Sequence, residues 1–266
     1  MPRILAITNQ KGGVGKTTTT VNLAASLAEL KQRVLLVDLD PQGNATMGCG
    51  IDKNGLTRSV YHVLLGMATI DEVCIAAPSC QCDLVPANRE LAGAEVELVG
   101  LDDREHRLQR ALQTVEGRFD FILIDCPPAL NLLTVNALAA AHAVMIPMQC
   151  EYYALEGLSD LVGTIRKIRA NLNRELEIDG LLRTMFDPRN TLGQQVSAQL
   201  EQHFGDKVYR AVIPRNIRLA EAPSYGKPVI QYDRSSKGAL AYLALAAEIL
   251  ARAQPPATQL MEEGAV

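Results

Sequence analysis

A chain of 266 residues, 48% of them hydrophobic, is long enough for one large α/β domain with a substantial core. With no tryptophan and only 4% aromatic residues, that core must be aliphatic, the composition of a parallel sheet buried under helices. A net charge of −4 argues against a protein that coats nucleic acid, and no apolar run reaches the ~18 residues that a membrane span needs.

The chain opens straight into a strand pattern, Arg3–Thr8, so no signal or transit peptide is expected and the protein reads as cytoplasmic. Next comes Lys11-Gly12-Gly13-Val14-Gly15-Lys16-Thr17-Thr18, followed by a helical pattern over Thr17–Leu30. Strand, glycine loop and helix in that order are the context of a phosphate-binding loop. Its glycines let backbone amides curl around phosphates, where the helix N-terminus adds partial positive charge. Lys16 is placed to reach phosphate oxygens, and the Thr17 hydroxyl to ligate Mg²⁺. The usual pattern begins with glycine where Gln10 stands, and Lys11 supplies a second lysine at the front of the loop.

The second strand, Val34–Leu39, ends in two carboxylates, Asp38 and Asp40, ahead of Pro41-Gln42-Gly43-Asn44. At strand spacing both fall on one side, at the carboxyl end of the sheet, where ligands of open α/β sheets collect. Asp40 is expected to orient the water that attacks the γ-phosphate, and Asp38 to balance the charge of lysine and Mg²⁺. A plain Asp-Pro turn is the competing reading; it leaves the carboxylate inside the strand unexplained. After a strand at Asp83–Pro86 and a helix over His106–Val115, the run Phe119–Asp125 is a buried strand ending in aspartate. Asp125 is expected to hold Mg²⁺ through a water, and Cys126-Pro127-Pro128-Ala129 to form a stiff loop sensing the γ-phosphate.

Strands at Ala143–Met148, Gly180–Phe186 and Val208–Ile213 then alternate with helices at Leu155–Leu172, Leu192–His203 and Ala239–Ala253. This alternation predicts βαβ units in a doubly wound, mostly parallel sheet flanked by helices, forming a single domain over residues 1–253. Residues 254–266, with Pro255-Pro256 and closing acidic and small residues, read as a disordered tail. The cysteines at 49, 74, 80, 82, 126 and 150 are expected to be reduced packing residues, because Cys80-Gln81-Cys82 has no second Cys/His pair with zinc spacing. Charge is unevenly spread: residues 1–160 carry 12 basic against 19 acidic groups, and residues 161–240 carry 13 against 8. The basic third can present an anion-binding face, although solvated helix faces account for such a surplus equally well.

The lysine-rich loop, the run Asp38 to Asn44 and Ile124-Asp125-Cys126-Pro127-Pro128 resemble the deviant-Walker-A ATPases. The run Val212-Ile213-Pro214-Arg215-Asn216-Ile217-Arg218 through Ser224-Tyr225-Gly226-Lys227-Pro228 resembles the ParA/Soj branch, which partitions chromosomes and plasmids. The resemblance covers nearly everything to about residue 250. It implies that ATP and Mg²⁺ bring two subunits face to face, with Lys11 of one reaching the phosphates in the other, as an arginine finger does. It further implies a dimer that binds non-specific DNA on the nucleoid and lets go after slow hydrolysis, stimulated by a ParB-type centromere-binding partner. By the same resemblance, Pro214 and Asn216 contact the adenine and Glu151 the ribose. Arg189 and Arg218 contact DNA, with Lys227, Arg234 and Lys237 as further candidates; the competing reading of each is a surface ion pair. The rival is a MinD-like positioning ATPase at a membrane or protein scaffold, but such proteins end in a basic amphipathic helix, whereas this tail is acidic and broken by proline. An electron carrier of the nitrogenase iron-protein kind is a more distant rival, suggested only by Cys126 after the strand aspartate.

Overall fold

A computed structural model describes residues 1–253; the reading of 254–266 as a disordered tail lies outside the described residues. Seven strands, β1 (Arg3–Ile7), β2 (Val34–Asp38), β3 (Ile75–Ala77), β4 (Cys82–Val85), β5 (Phe121–Asp125), β6 (Ala143–Gln149) and β7 (Glu177–Thr184), form one sheet. Their order is β3-β4-β2-β5-β1-β6-β7, parallel throughout except for the edge pair β3–β4. The expected doubly wound, mostly parallel sheet is what the chain forms.

The central strands are buried on both faces, so they read as apolar runs rather than alternating patterns. Along β1, Ile4 and Ala6 face one apolar layer while Leu5 and Ile7 face the other. The layer under Leu5 is covered by helix α1 (Lys16–Glu29) and the C-terminal helix Lys237–Ala253, through Leu23, Leu27, Tyr242, Leu245 and Ile249. The opposite layer is closed by helices that include Arg107–Gln113, Leu132–Ala140 and Ala154–Asn171. Leu123 lies at the centre of β5, opposite Leu5 on one side and Leu36 on the other, and is fully buried. Leu123→Ala should therefore lower unfolding free energy by about 2–5 kcal/mol, read as a lower denaturant midpoint at unchanged slope.

Several elements differ from the sequence expectation. Val208–Ile213 is not a strand. It runs beside β7 with an isolated bridge between Leu181 and Val208; the Arg183 guanidinium then donates to the Tyr209 carbonyl at 2.9 Å, and backbone pairing resumes only at Ile213, whose amide donates to the Arg183 carbonyl at 2.9 Å. Strand β3 is too short to announce itself and, among the described residues, pairs only with β4. Helix Leu132–Ala140 is apolar nearly all round because it is buried on several sides, so it lacks the amphipathic period by which a helix is recognised. It starts directly after the Cys126–Ala129 loop, with the Asn131 side chain accepting from the Thr134 amide at 3.1 Å.

Candidate functional site

The sheet places the three motif-bearing strands side by side. In the β2–β5–β1 register, Asp38 lies opposite Asp125, and Asp125 lies opposite Ile7, which leads into the lysine-rich loop. Both aspartates and the loop thus meet at the carboxyl end of the sheet, where an open α/β fold receives ligands.

The loop is held from below by neighbouring strand ends. The Asn9 side chain donates to the Pro147 carbonyl at 2.8 Å and accepts from the Lys11 amide at 3.0 Å. The Thr184 hydroxyl at the end of β7 donates to the Val14 carbonyl at 2.8 Å, and Gln149 donates to the Gly13 carbonyl at 3.3 Å. Gly15 caps α1 with φ +87°, a left-handed conformation that only glycine adopts without strain. That geometry lets the first amides of α1 face outward as an anion cradle.

Lys16 is buried, and its Nζ folds over the loop to donate to the Lys11 carbonyl at 3.2 Å. Burial lowers its pKa, while the charge of Asp125, with Cys126 and Asp40, holds it up. The Thr17 hydroxyl donates to Asp125 Oδ2 at 2.7 Å, and the Thr20 hydroxyl to Asp125 Oδ1 at 2.9 Å. Burial first, and then the facing Asp38, pushes the Asp125 carboxyl well above the usual carboxylate range. A buried carboxylate pair beside a hydroxyl is a donor set that suits a hard divalent cation, which would relieve the repulsion between the acids.

The two acids at the end of β2 have different surroundings. Asp38 Oδ2 accepts from the Thr46 amide at 2.8 Å and hydroxyl at 2.7 Å, and its Oδ1 accepts from the Asp40 amide at 3.1 Å. Asp38 thereby anchors the short helix Asn44–Gly48 to the sheet. Asp40 Oδ1 accepts from the Gln42 amide at 2.9 Å, so the turn chemistry and the acid belong to the same residue. Sequence reasoning had no sight of Thr46, Thr20, Thr184 or Asn9, whose partners include residues far away in the chain.

At the open edge of the site, Lys11 Nζ pairs with Glu151 Oε2 at 2.6 Å, both side chains about half exposed. Beside Glu151, a cavity of about 200 Å³ is lined by Gln149, Cys150, Met185, Phe186 and Arg215, among others. Pro214 forms an isolated bridge with Phe186, and Asn216 caps the helix Ile217–Glu221 by accepting from the Arg218 amide at 3.0 Å. Between them, Arg215 is the residue that lines the cavity, a position sequence reasoning did not single out. Cys126 is fully buried, which leaves its thiol no exposed position.

Three candidate DNA-contacting arginines, Arg189, Arg218 and Arg234, lie on the surface in ion pairs. Arg189, whose side chain is 89% exposed, grips Asp187 through Nε at 2.9 Å and Nη2 at 2.7 Å. Hydrogen bonding to Arg189 holds the Asp187 carboxyl down at about 2. Arg218 pairs with Glu221 at 2.9 Å and Asp233 at 3.2 Å, and Arg234 with Glu29 at 2.6 Å. Lys227 and Lys237 are exposed, and no ion pair involves either among the described residues. No helix among the described residues is long and apolar enough to cross a membrane.

Residues 2–178 match the family model described as an AAA domain. The chain is 56% identical to the sporulation initiation inhibitor protein Soj of Bacillus subtilis, over 94% of this chain and 99% of that one. It is 52% identical to the chromosome partitioning protein ParA of Myxococcus xanthus, over 95% of this chain and 89% of that one. Among solved structures, the cobyrinic acid a,c-diamide synthase of Mycobacterium smegmatis with bound ATP analogue and magnesium superposes with a TM-score of 0.83, at 40% identity over 94% of this chain and 95% of that one.

Proposed function

Because the chain belongs to the ParA/Soj family of P-loop partitioning ATPases, we propose that it works as an ATP-gated dimer that holds non-specific DNA until hydrolysis releases it. It is an ATPase that uses ATP and Mg²⁺. The observation that carries the switch reading is the half-exposed Lys11–Glu151 pair at the rim of the loop. An exposed pair of this kind is weak, so the Lys11 ammonium can leave Glu151 for a stronger anion at modest cost. ATP phosphates in a facing subunit are such an anion.

In this reading, the Gly12–Thr18 amides and Lys16 bind the phosphates, and Lys11 enters from the second subunit. Thr17 directly, and Asp125 through a water, would hold Mg²⁺, which neutralises charge on the β- and γ-phosphates. Asp40 orients the attacking water, being in the field of Lys16 at the mouth of the site. Pro214 and Asn216 bound the adenine side, and Glu151 is released toward the ribose. A ParB-type partner would act on the slow hydrolytic step.

In this reading Arg189, Arg218 and Lys227 contact the DNA. DNA phosphates would take over these guanidinium groups from Asp187, Glu221 and Asp233, a swap of partners at exposed positions that costs little. Arg189→Ala and Arg218→Ala should each keep ATP-dependent dimerisation, weaken DNA binding, and reduce the slope of log affinity against log salt by ~0.9. Wild-type affinity and slope in both variants would remove the arginines from the interface. The reading as a whole is tested by titrating the purified protein on random-sequence duplex DNA with ATP, with ADP and without nucleotide, across a salt series. Binding with ATP alone, lost steeply with salt, supports it; intact ATP binding with no DNA binding in any state would point to a MinD-like positioning ATPase.

A further inference from the structure

The turn that follows Asp40 is held from outside by a lysine. Within the turn, the Gln42 amide donates to Asp40 Oδ1 at 2.9 Å, and the Gly43 amide donates to the Asp40 carbonyl at 2.8 Å. The Gly43 amide belongs to the peptide between Gln42 and Gly43, and the carbonyl of that same peptide accepts from the Lys53 ammonium. One peptide plane is thus fixed at its amide by Asp40 and at its carbonyl by Lys53.

The local structure explains how Lys53 reaches the turn. Lys53 begins a single 3₁₀ turn, Lys53–Gly55, whose Asp52 cap accepts from the Asn54 amide at 3.0 Å. The backbone just before it is tied to the helix Asn44–Gly48: the Gly50 amide donates to the Met47 carbonyl at 3.0 Å and the Ile51 amide to the Thr46 carbonyl at 3.2 Å. The half-buried Lys53 stem then lies against Gly43, which has φ +61°. A Cβ on Gly43 would stand 2.9 Å from Lys53 Cδ and 2.7 Å from the Ala87 carbonyl oxygen, so glycine leaves the side chain room to pass. Among the described residues the lysines in ion pairs are Lys11 and Lys207, which leaves the Lys53 charge directed at a backbone carbonyl.

Building on the water-orienting role proposed above for Asp40, we propose that Lys53 is a positioning residue for ATP hydrolysis. The Gln42 amide occupies Asp40 Oδ1, which leaves Oδ2 to accept from the attacking water. Where that oxygen points depends on the turn, and the turn depends on the peptide that Lys53 holds. With the ammonium removed, one end of the peptide is free. The plane can then rotate, draw the Gly43 amide off the Asp40 carbonyl, and widen the range of positions that the carboxylate samples. A displacement of about 1 Å at a reacting group can cost ~10²-fold in rate. Lys53 makes no hydrogen bond to the lysine-rich loop or to Asp125, so nucleotide binding should not depend on it.

The test uses the full chain with ATP and Mg²⁺. Lys53→Met keeps the apolar stem and removes the donor; it should lower kcat by ~10–10²-fold and leave KM for ATP within about twofold. Lys53→Arg restores a donor and should recover most of the rate. In an Asp40→Asn background, Lys53→Met should slow single-turnover release of labelled phosphate no further, because two residues that act as one unit do not add. Lys53→Gln serves the same comparison where the methionine variant fails to fold. Wild-type kcat in Lys53→Met, with Asp40→Asn alone slow, would overturn the role of Lys53 and leave that of Asp40 standing. Normal hydrolysis in Asp40→Asn would overturn both. A loss carried entirely in KM, no recovery with arginine, or a full further loss in the double variant would each remove Lys53 from the positioning of Asp40.

Discussion

Lys16→Ala is expected to lose productive ATP binding and to lower turnover at saturating nucleotide by at least ~10²-fold, the scale for removing a preorganised charge-stabilising donor. The size of the effect follows from what surrounds the ammonium. Asp38 and Asp125 face each other across β2 and β5, and Asp40 lies close enough for its charge to act on Lys16. Without Lys16, incoming phosphates would meet these acids without the buried ammonium that lies in their field. The loop itself should survive, because it is held by Asn9, Gln149 and Thr184 rather than by Lys16 alone. Titration with a fluorescent ATP analogue, together with a phosphate-release assay, separates lost affinity from lost chemistry. Wild-type binding and turnover would remove Lys16 from the site.

Asp40→Asn should bind ATP and DNA normally, lower hydrolysis by ~10²–10⁴-fold, and accumulate the ATP-bound dimer. Asparagine is the better substitution because Asp40 Oδ1 also accepts the Gln42 amide at 2.9 Å. An amide oxygen keeps that turn and loses only the negative charge, whereas Asp40→Ala loses both. If alanine impairs hydrolysis while asparagine leaves it unchanged, Asp40 is a turn former and some other group positions the water. Light scattering with ATP reads the dimer, and phosphate release under the same conditions reads the step. A persistent dimer with slow release in the asparagine variant is the expected pair of results.

The sequence and the structure agree most closely where chemistry and local order coincide. Glycines, lysines and threonine in the first loop must lie next to one another in the chain, because the cradle is built from consecutive amides of one turn. The apolar strands Val34–Asp38 and Phe121–Asp125 were legible for a similar reason: full burial requires an unbroken aliphatic run, and an acid at its end stands out. Helix Leu132–Ala140 and strand β3 were hidden, the first by burial all round and the second by its length.

The sequence by itself determined the architecture, the order of the lysine-rich loop and the aspartate-ended strands, and the residue types able to handle a phosphate. Only the tertiary structure decided which of those residues meet. Asp38 grips Thr46, Asp125 grips Thr17 and Thr20, Lys11 rests on Glu151, and Arg189 and Arg218 sit in surface ion pairs. Local propensity and apolar period depend on near neighbours in the chain, whereas a side chain's partner is set by strand register and by how helices pack over the sheet.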